Sequence, residues 1–194
     1  MFDIDNTFTF GAEIPFQKQY SFQQELGWGN ANTNAWDSER SRYPDKTNWR
    51  LRTQVRYYFH ETKKHSGRFY WGAEYFRKDI FINQVKSIGQ QCNPNTGVCA
   101  YFEEMNVQTH RAINGLHIKI GFQVKNRDNL VFDFFTGFGL RNIKVSNNAP
   151  TGGINNQLDR IFIGFNSLVP DNYTTPSIAL GFSVGYEIKK KVRF

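Results

Sequence analysis

The sequence holds only two cysteines and six prolines in 194 residues. A disulfide-dense scaffold is thereby excluded, as is a proline-rich linker. No stretch approaches the roughly 20 consecutive apolar residues that a spanning helix needs, which excludes a helical membrane bundle. No low-complexity tract or internal repeat breaks the chain, and its length suits one domain. The opening Met1–Phe8 carries neither a basic stretch nor an apolar core, so no export signal is readable in it. Zinc-ligand spacing is absent, because no second Cys/His pair accompanies the cysteines. The four histidines, His60, His65, His110 and His117, are scattered and miss the helical HExxH spacing. No glycine-rich phosphate loop and no Ser-His-Asp arrangement can be read. The net charge is +7, but the basic residues do not cluster on one element, so a nucleic-acid partner is not expected. No cofactor and no metal are expected.

Aromatic residues are abundant, with 19 Phe, 9 Tyr and 4 Trp. They fall into a period-2 pattern, the signature of a strand with one apolar face. Residues 177–188 show it best, with Ile178, Leu180, Phe182, Val184, Tyr186 and Ile188 against Ser177, Ala179, Gly181, Ser183, Gly185 and Glu187. The same alternation predicts strands over 7–16, 20–29, 49–60, 68–75, 112–125 and 129–141. Their connections alternate in length. Those at 17–19, 61–67 and 126–128 are short; those at 30–48, 86–111 and 146–176 are long and polar. This is the layout of an antiparallel up-and-down meander with its long loops at one end. Cys92 and Cys99 flank an Asn-Pro-Asn-Thr-Gly turn, a spacing that suits a disulfide closing a small loop in an oxidising compartment.

Alternation alone does not say which face is inside. A soluble lipocalin-like, lipid-binding barrel turns its apolar face inward; an outer-membrane barrel turns it toward lipid. Ten strand glycines, from Gly11 to Gly185, share the polar face, and strand glycine marks close approach. Ten charges share that face too: Glu13, Glu25, Arg50, Arg52, Arg56, Glu74, Lys119, Asp133, Arg141 and Glu187. With five of each sign they form a candidate interior ion network, tolerable when paired. Tyr20, Trp28, Trp49, Tyr57, Trp71 and Tyr186 lie on the apolar face, many near strand ends, where membrane girdles sit. The pattern therefore favours a small antiparallel transmembrane β-barrel in the bacterial outer membrane, bounded by its lipids.

The chain resembles a small outer-membrane β-barrel family of Bacteroidota, itself of unknown function. The residues carrying the likeness are Phe2-Asp3-Ile4 through Thr9-Phe10-Gly11-Ala12-Glu13, Tyr20-Ser21-Phe22, Trp36 with Trp49, Arg56-Tyr57-Tyr58-Phe59, Gly67-Arg68-Phe69 and the segment from Pro176 to Tyr186. The resemblance implies eight strands, both termini in the periplasm and long loops outside. Phe194 looks like the terminal aromatic by which barrel-assembly machinery recognises its clients. Only seven strands are clear here, so either the first strand is missing from this sequence or 159–165 (DRIFIGF) supplies an extra one; the former is expected.

The expected role is non-enzymatic. The chain reads as a structural or accessory subunit of a larger secretion, uptake or assembly complex, docking another outer-membrane barrel or a lipoprotein. The alternative is an independent surface binder or adhesin acting through its loops, and a lipid-modifying barrel enzyme is a weaker reading. The short turns and tail carry Lys18, Lys63, Lys64, Arg68, Lys125, Arg127, Lys189, Lys190, Lys191 and Arg193 against only Glu61 and Asp128, a local net of +8. This periplasmic basic rim faces anionic headgroups or an acidic periplasmic partner.

Overall fold

Every alternating segment becomes a strand. In a computed structural model, residues 7–33, 43–62, 67–93, 96, 98–126, 129–148 and 171–188 are described. They form β1 (Phe8–Pro15), β2 (Tyr20–Asn30), β3 (Thr47–Thr62), β4 (Gly67–Gln90), β5 (Tyr101–Lys125), β6 (Leu130–Asn147) and β7 (Asp171–Tyr186). The order in the sheet is the order in the chain, β1 to β7, and every neighbouring pair is antiparallel. The expected all-β meander of seven strands is what is seen. Residues 159–165 and Trp36 lie outside the described residues.

Two boundaries differ from the alternation. Residues 86–111 were expected to be a long loop, but β4 and β5 continue their ladder to the pair Gln90–Tyr101. The backbone ladder persists where apolar alternation fades, because pairing is made by main-chain groups whatever the side chains are. The tip of this hairpin is closed by the Cys92–Cys99 disulfide. Likewise β6 runs to Asn147 and β7 begins at Asp171, several residues outside the expected limits.

The sheet curls strongly. Glu13 on β1 accepts a hydrogen bond from the Gln123 amide on β5 at 3.0 Å, although three strands lie between them in the sheet. Side chains of the concave face thus meet across an interior. β1 and β7 run in the same sense, since five strands lie between them and direction reverses at each step.

Burial inverts the usual rule for water-soluble proteins. On the concave face Arg56, Glu74, Lys119, Asp133 and Arg141 are buried. On the convex face Phe10, Leu116, Phe138, Leu180 and Phe182 are each more than half exposed. Nine residues of β5, β6 or β7 carry this apolar stripe, at 116–124, 132–140 and 178–186. At about 3.4 Å per residue that is roughly 27 Å along a strand.

The inversion ends at one row. Arg77, Asn114, Asn142 and Thr174 face outward in register across β4 to β7. Beyond them the concave face becomes apolar, with Ile80, Ile82, Ile113, Ile143 and Val145 forming a buried cluster with Tyr43. The same strands are therefore polar-in below this row and apolar-in above it.

Candidate functional site

The concave face holds two linked polar clusters, and alternation puts each member there. In the lower one, the Arg56 guanidinium lies 3.0 Å from Glu13 and 2.7 Å from Asp133. Ser21 donates to Glu13 at 2.6 Å, and the Tyr58 hydroxyl donates to it as well. The Tyr70 hydroxyl donates to Asp133 at 2.9 Å, while Arg56 sits 4.3 Å above the Tyr70 ring. The Tyr70 ring needs room on β5. A Cβ at Gly121 would lie 2.2 Å from that ring, so only glycine fits beneath it.

In the upper cluster, Arg52 bridges Glu25 at 2.9 Å and Glu74 at 3.0 Å. Lys119 pairs with the Glu74 oxygen that Arg52 also approaches, and lies 4.1 Å over the Phe135 ring. The other Glu74 oxygen is 3.3 Å from His117 Nδ1, and His117 Nε2 is 2.5 Å from Ser177 Oγ. Paired charges and shared acceptors offset the cost of taking these groups out of water.

Most of the expected interior ions meet as partners: Glu13 with Arg56, Glu25 with Arg52, Glu74 with Arg52 and Lys119, and Asp133 with Arg56. Arg141 is buried on the same face and Arg50 half-buried. Glu187 lies elsewhere. It follows the end of β7 at the lower rim, where it pairs with Lys125. Charge reasoning also left out the neutral members, Ser21, Gln23, Gln54, Tyr58, Tyr70, His117, Gln123 and Ser177. Their parity along each strand is the same as that of the charges, and that signal was available.

Of the basic rim, Lys18 is exposed in the β1–β2 turn and Lys125 closes on Glu187. Arg68 reaches inward, donating to Gln123 at 3.3 Å and lying 4.6 Å over the Tyr58 ring. Lys63, Lys64, Arg127, Lys189, Lys190, Lys191 and Arg193 lie outside the described residues.

Beside these clusters an open cleft of about 1090 Å³ runs along the concave face and, among the described residues, the free edges of β1 and β7. Its wall includes Glu25, Arg50, Arg52, Glu74, Lys78 and His117, with Ile178 and Ala179 of β7 completing it. The inward positions of β7 are small, being Ser177, Ala179, Gly181, Ser183 and Gly185. That smallness leaves room on the concave side, and the cleft continues along the free edge of β7, where every residue from Ile178 to Ile188 borders it. No family model, curated protein or solved structure matches the chain.

Proposed function

We propose that the chain forms the wall of an outer-membrane β-barrel and serves as an accessory subunit of a larger outer-membrane secretion, uptake or assembly complex. The observation that carries the membrane part is the change of face at the Arg77–Asn114–Asn142–Thr174 row. A stripe of about 27 Å tilted by about 40° stands roughly 21 Å tall, close to the apolar band of bacterial barrels. Above the row the strands return to apolar-in, as a wall in water requires. Aromatics edge the band: Trp28 lies 6.5 Å from Trp49 near one limit, and Phe59, Phe69 and Phe122 form a run of tilted ring contacts at the other. Such edges fit interfacial girdles. The resemblance to the Bacteroidota barrels points the same way. Closing the ring with antiparallel pairing takes one more strand, running opposite to β1 and β7.

The accessory role is supported by the β4–β5 arm. It rises past the polar row and carries exposed Phe81, Val85, Tyr101 and Phe102, more apolar surface than a solvated arm needs. The arm equally suits a surface binder acting alone. Purification of the native protein in mild detergent separates the two. Stoichiometric barrels or lipoproteins are the expected result; a lone monomer would favour the binder. Recovery of a soluble monomer without detergent would overturn the membrane reading.

A further inference from the structure

We propose that Ser177, His117 and Glu74 form a nucleophilic triad that hydrolyses a carboxylic ester held in the cleft of the concave face. The three side chains come from β7, β5 and β4, and stand in the order nucleophile, base and orienting carboxylate. Ser177 Oγ is 2.5 Å from His117 Nε2, and His117 Nδ1 is 3.3 Å from Glu74. Lys119 and Arg52 both approach the second oxygen of Glu74. Glu74 is thereby held as a carboxylate, which accepts only. A proton on Nδ1 then points at that carboxylate, and with Nε2 unprotonated the imidazole accepts the serine proton. That is the tautomer a general base needs.

The ring is held in place from both sides. Phe76 stacks on it, with centroids 5.0 Å apart and planes within 9°. To reach β7 from β5 the imidazole must cross β6, and it does so over Gly139, the register partner of both His117 and Ser177. A Cβ at Gly139 would lie 2.6 Å from the imidazole Cδ2. Two strands that are not neighbours are thus joined through a glycine window.

Two of the three, His117 and Glu74, border a space for substrate, and Ser177 is buried beside it. His117, Glu74 and Phe76 line the cleft, as do Ile178 and Ala179, which follow Ser177. Arg141 lies diagonal to Ser177 across the β6–β7 register and is buried on the same face.

In the reaction, Ser177 Oγ attacks the ester carbonyl while its proton passes to His117 Nε2. The carbon–oxygen bond to the alcohol breaks, and the alcohol leaves with that proton. Water then gives a proton to the same nitrogen as its oxygen attacks the acyl-serine ester. The carboxylic acid departs and the serine hydroxyl is restored.

The test uses the full chain folded in detergent, so it does not depend on membrane insertion, which detergent extraction tests separately. A fluorophosphonate probe should label Ser177, located by peptide mass spectrometry, and p-nitrophenyl butyrate should be hydrolysed. Ser177→Ala should abolish both, and His117→Gln should slow both by about 10²- to 10⁴-fold, with the β-type circular dichroism of each variant unchanged. A second variant guards against misfolding: Ser177→Cys should react with iodoacetamide near neutral pH, and adding His117→Gln should slow that reaction. Absence of labelling in the folded protein would overturn the triad. So would labelling that survives Ser177→Ala, or a Ser177→Cys reactivity indifferent to His117; the hydrogen bonds would then be a structural tie between strands.

Discussion

Arg56 on β3 lies 2.7 Å from Asp133 on β6, and the two strands are separated in the sheet by β4 and β5. The pair therefore spans the interior rather than a ladder, and it ties the curl of the sheet to one buried charge. Arg56→Ala would leave Asp133 and Glu13 without their shared cation. Removing one partner of a buried pair costs about 3–5 kcal/mol. Arg77→Ala on the convex face, where Arg77 pairs with Asp79 at the surface, should cost far less. Urea unfolding of both variants in detergent measures the difference, and equal midpoints would mean that the concave face is hydrated.

The Tyr70–Gly121 contact gives a second, sterically driven expectation. Gly121→Ala places a methyl 2.2 Å from the Tyr70 ring, pushing the hydroxyl off Asp133. Overpacking of this kind costs about 1–3 kcal/mol. Gly185→Ala is the control, since a Cβ there meets nothing within 4 Å. Thermal melts should therefore fall for the first substitution and stay within error for the second.

Membrane insertion predicts a fluorescence signature. Trp28, Trp49 and Trp71 are each about half exposed on the convex face, so lipids brominated along the acyl chain should quench them in reconstituted vesicles. The folded protein should also run faster unboiled than boiled on gels. Tryptophan emission insensitive to bromine would count against a lipid-facing convex side.

The Cys92–Cys99 disulfide closes a ring at the tip of the β4–β5 arm, with a sequence separation of 7. So small a ring restricts the unfolded chain by only roughly 2–3 kcal/mol, and it lies far along the arm from the polar clusters. Reduction should speed proteolysis at the tip while leaving the gel shift on boiling unaltered. Loss of that shift on reduction would show that the arm and the wall unfold together.

A basic rim on the proposed barrel would bind acidic groups in a salt-sensitive way. Neutralising Lys189, Lys190 and Lys191 together should leave insertion intact and release a periplasmic partner if one docks there. Retention of every co-purifying protein at all salt concentrations would reduce the rim to a headgroup anchor, at about 1 kcal/mol per basic residue.

Strand identity and face were legible in the sequence because a β-strand has a period of two, and parity survives without knowledge of any partner. From Phe132 to Leu140, or from Ile178 to Tyr186, the large apolar residues mark the convex side and the glycines and charges between them the concave side, with Phe135 the exception that packs inward under Lys119. Parity also assigned Arg56 and Asp133 to one face. It had no means of saying that they touch, because β3 and β6 meet only through curvature accumulated over the strands between. In the sequence the upper β4–β5 arm resembles a loop for a related reason. Its ladder is held by backbone groups, and the side-chain pattern on which periodicity depends weakens above Arg77. The Ser177–His117–Glu74 row is the sharpest case. Its members stand 60 and 43 residues apart in the chain, on three strands, and no spacing brings them together. Register does so, aligning His117, Gly139 and Ser177 across β5, β6 and β7, and the missing side chain of the middle residue lets the outer two meet.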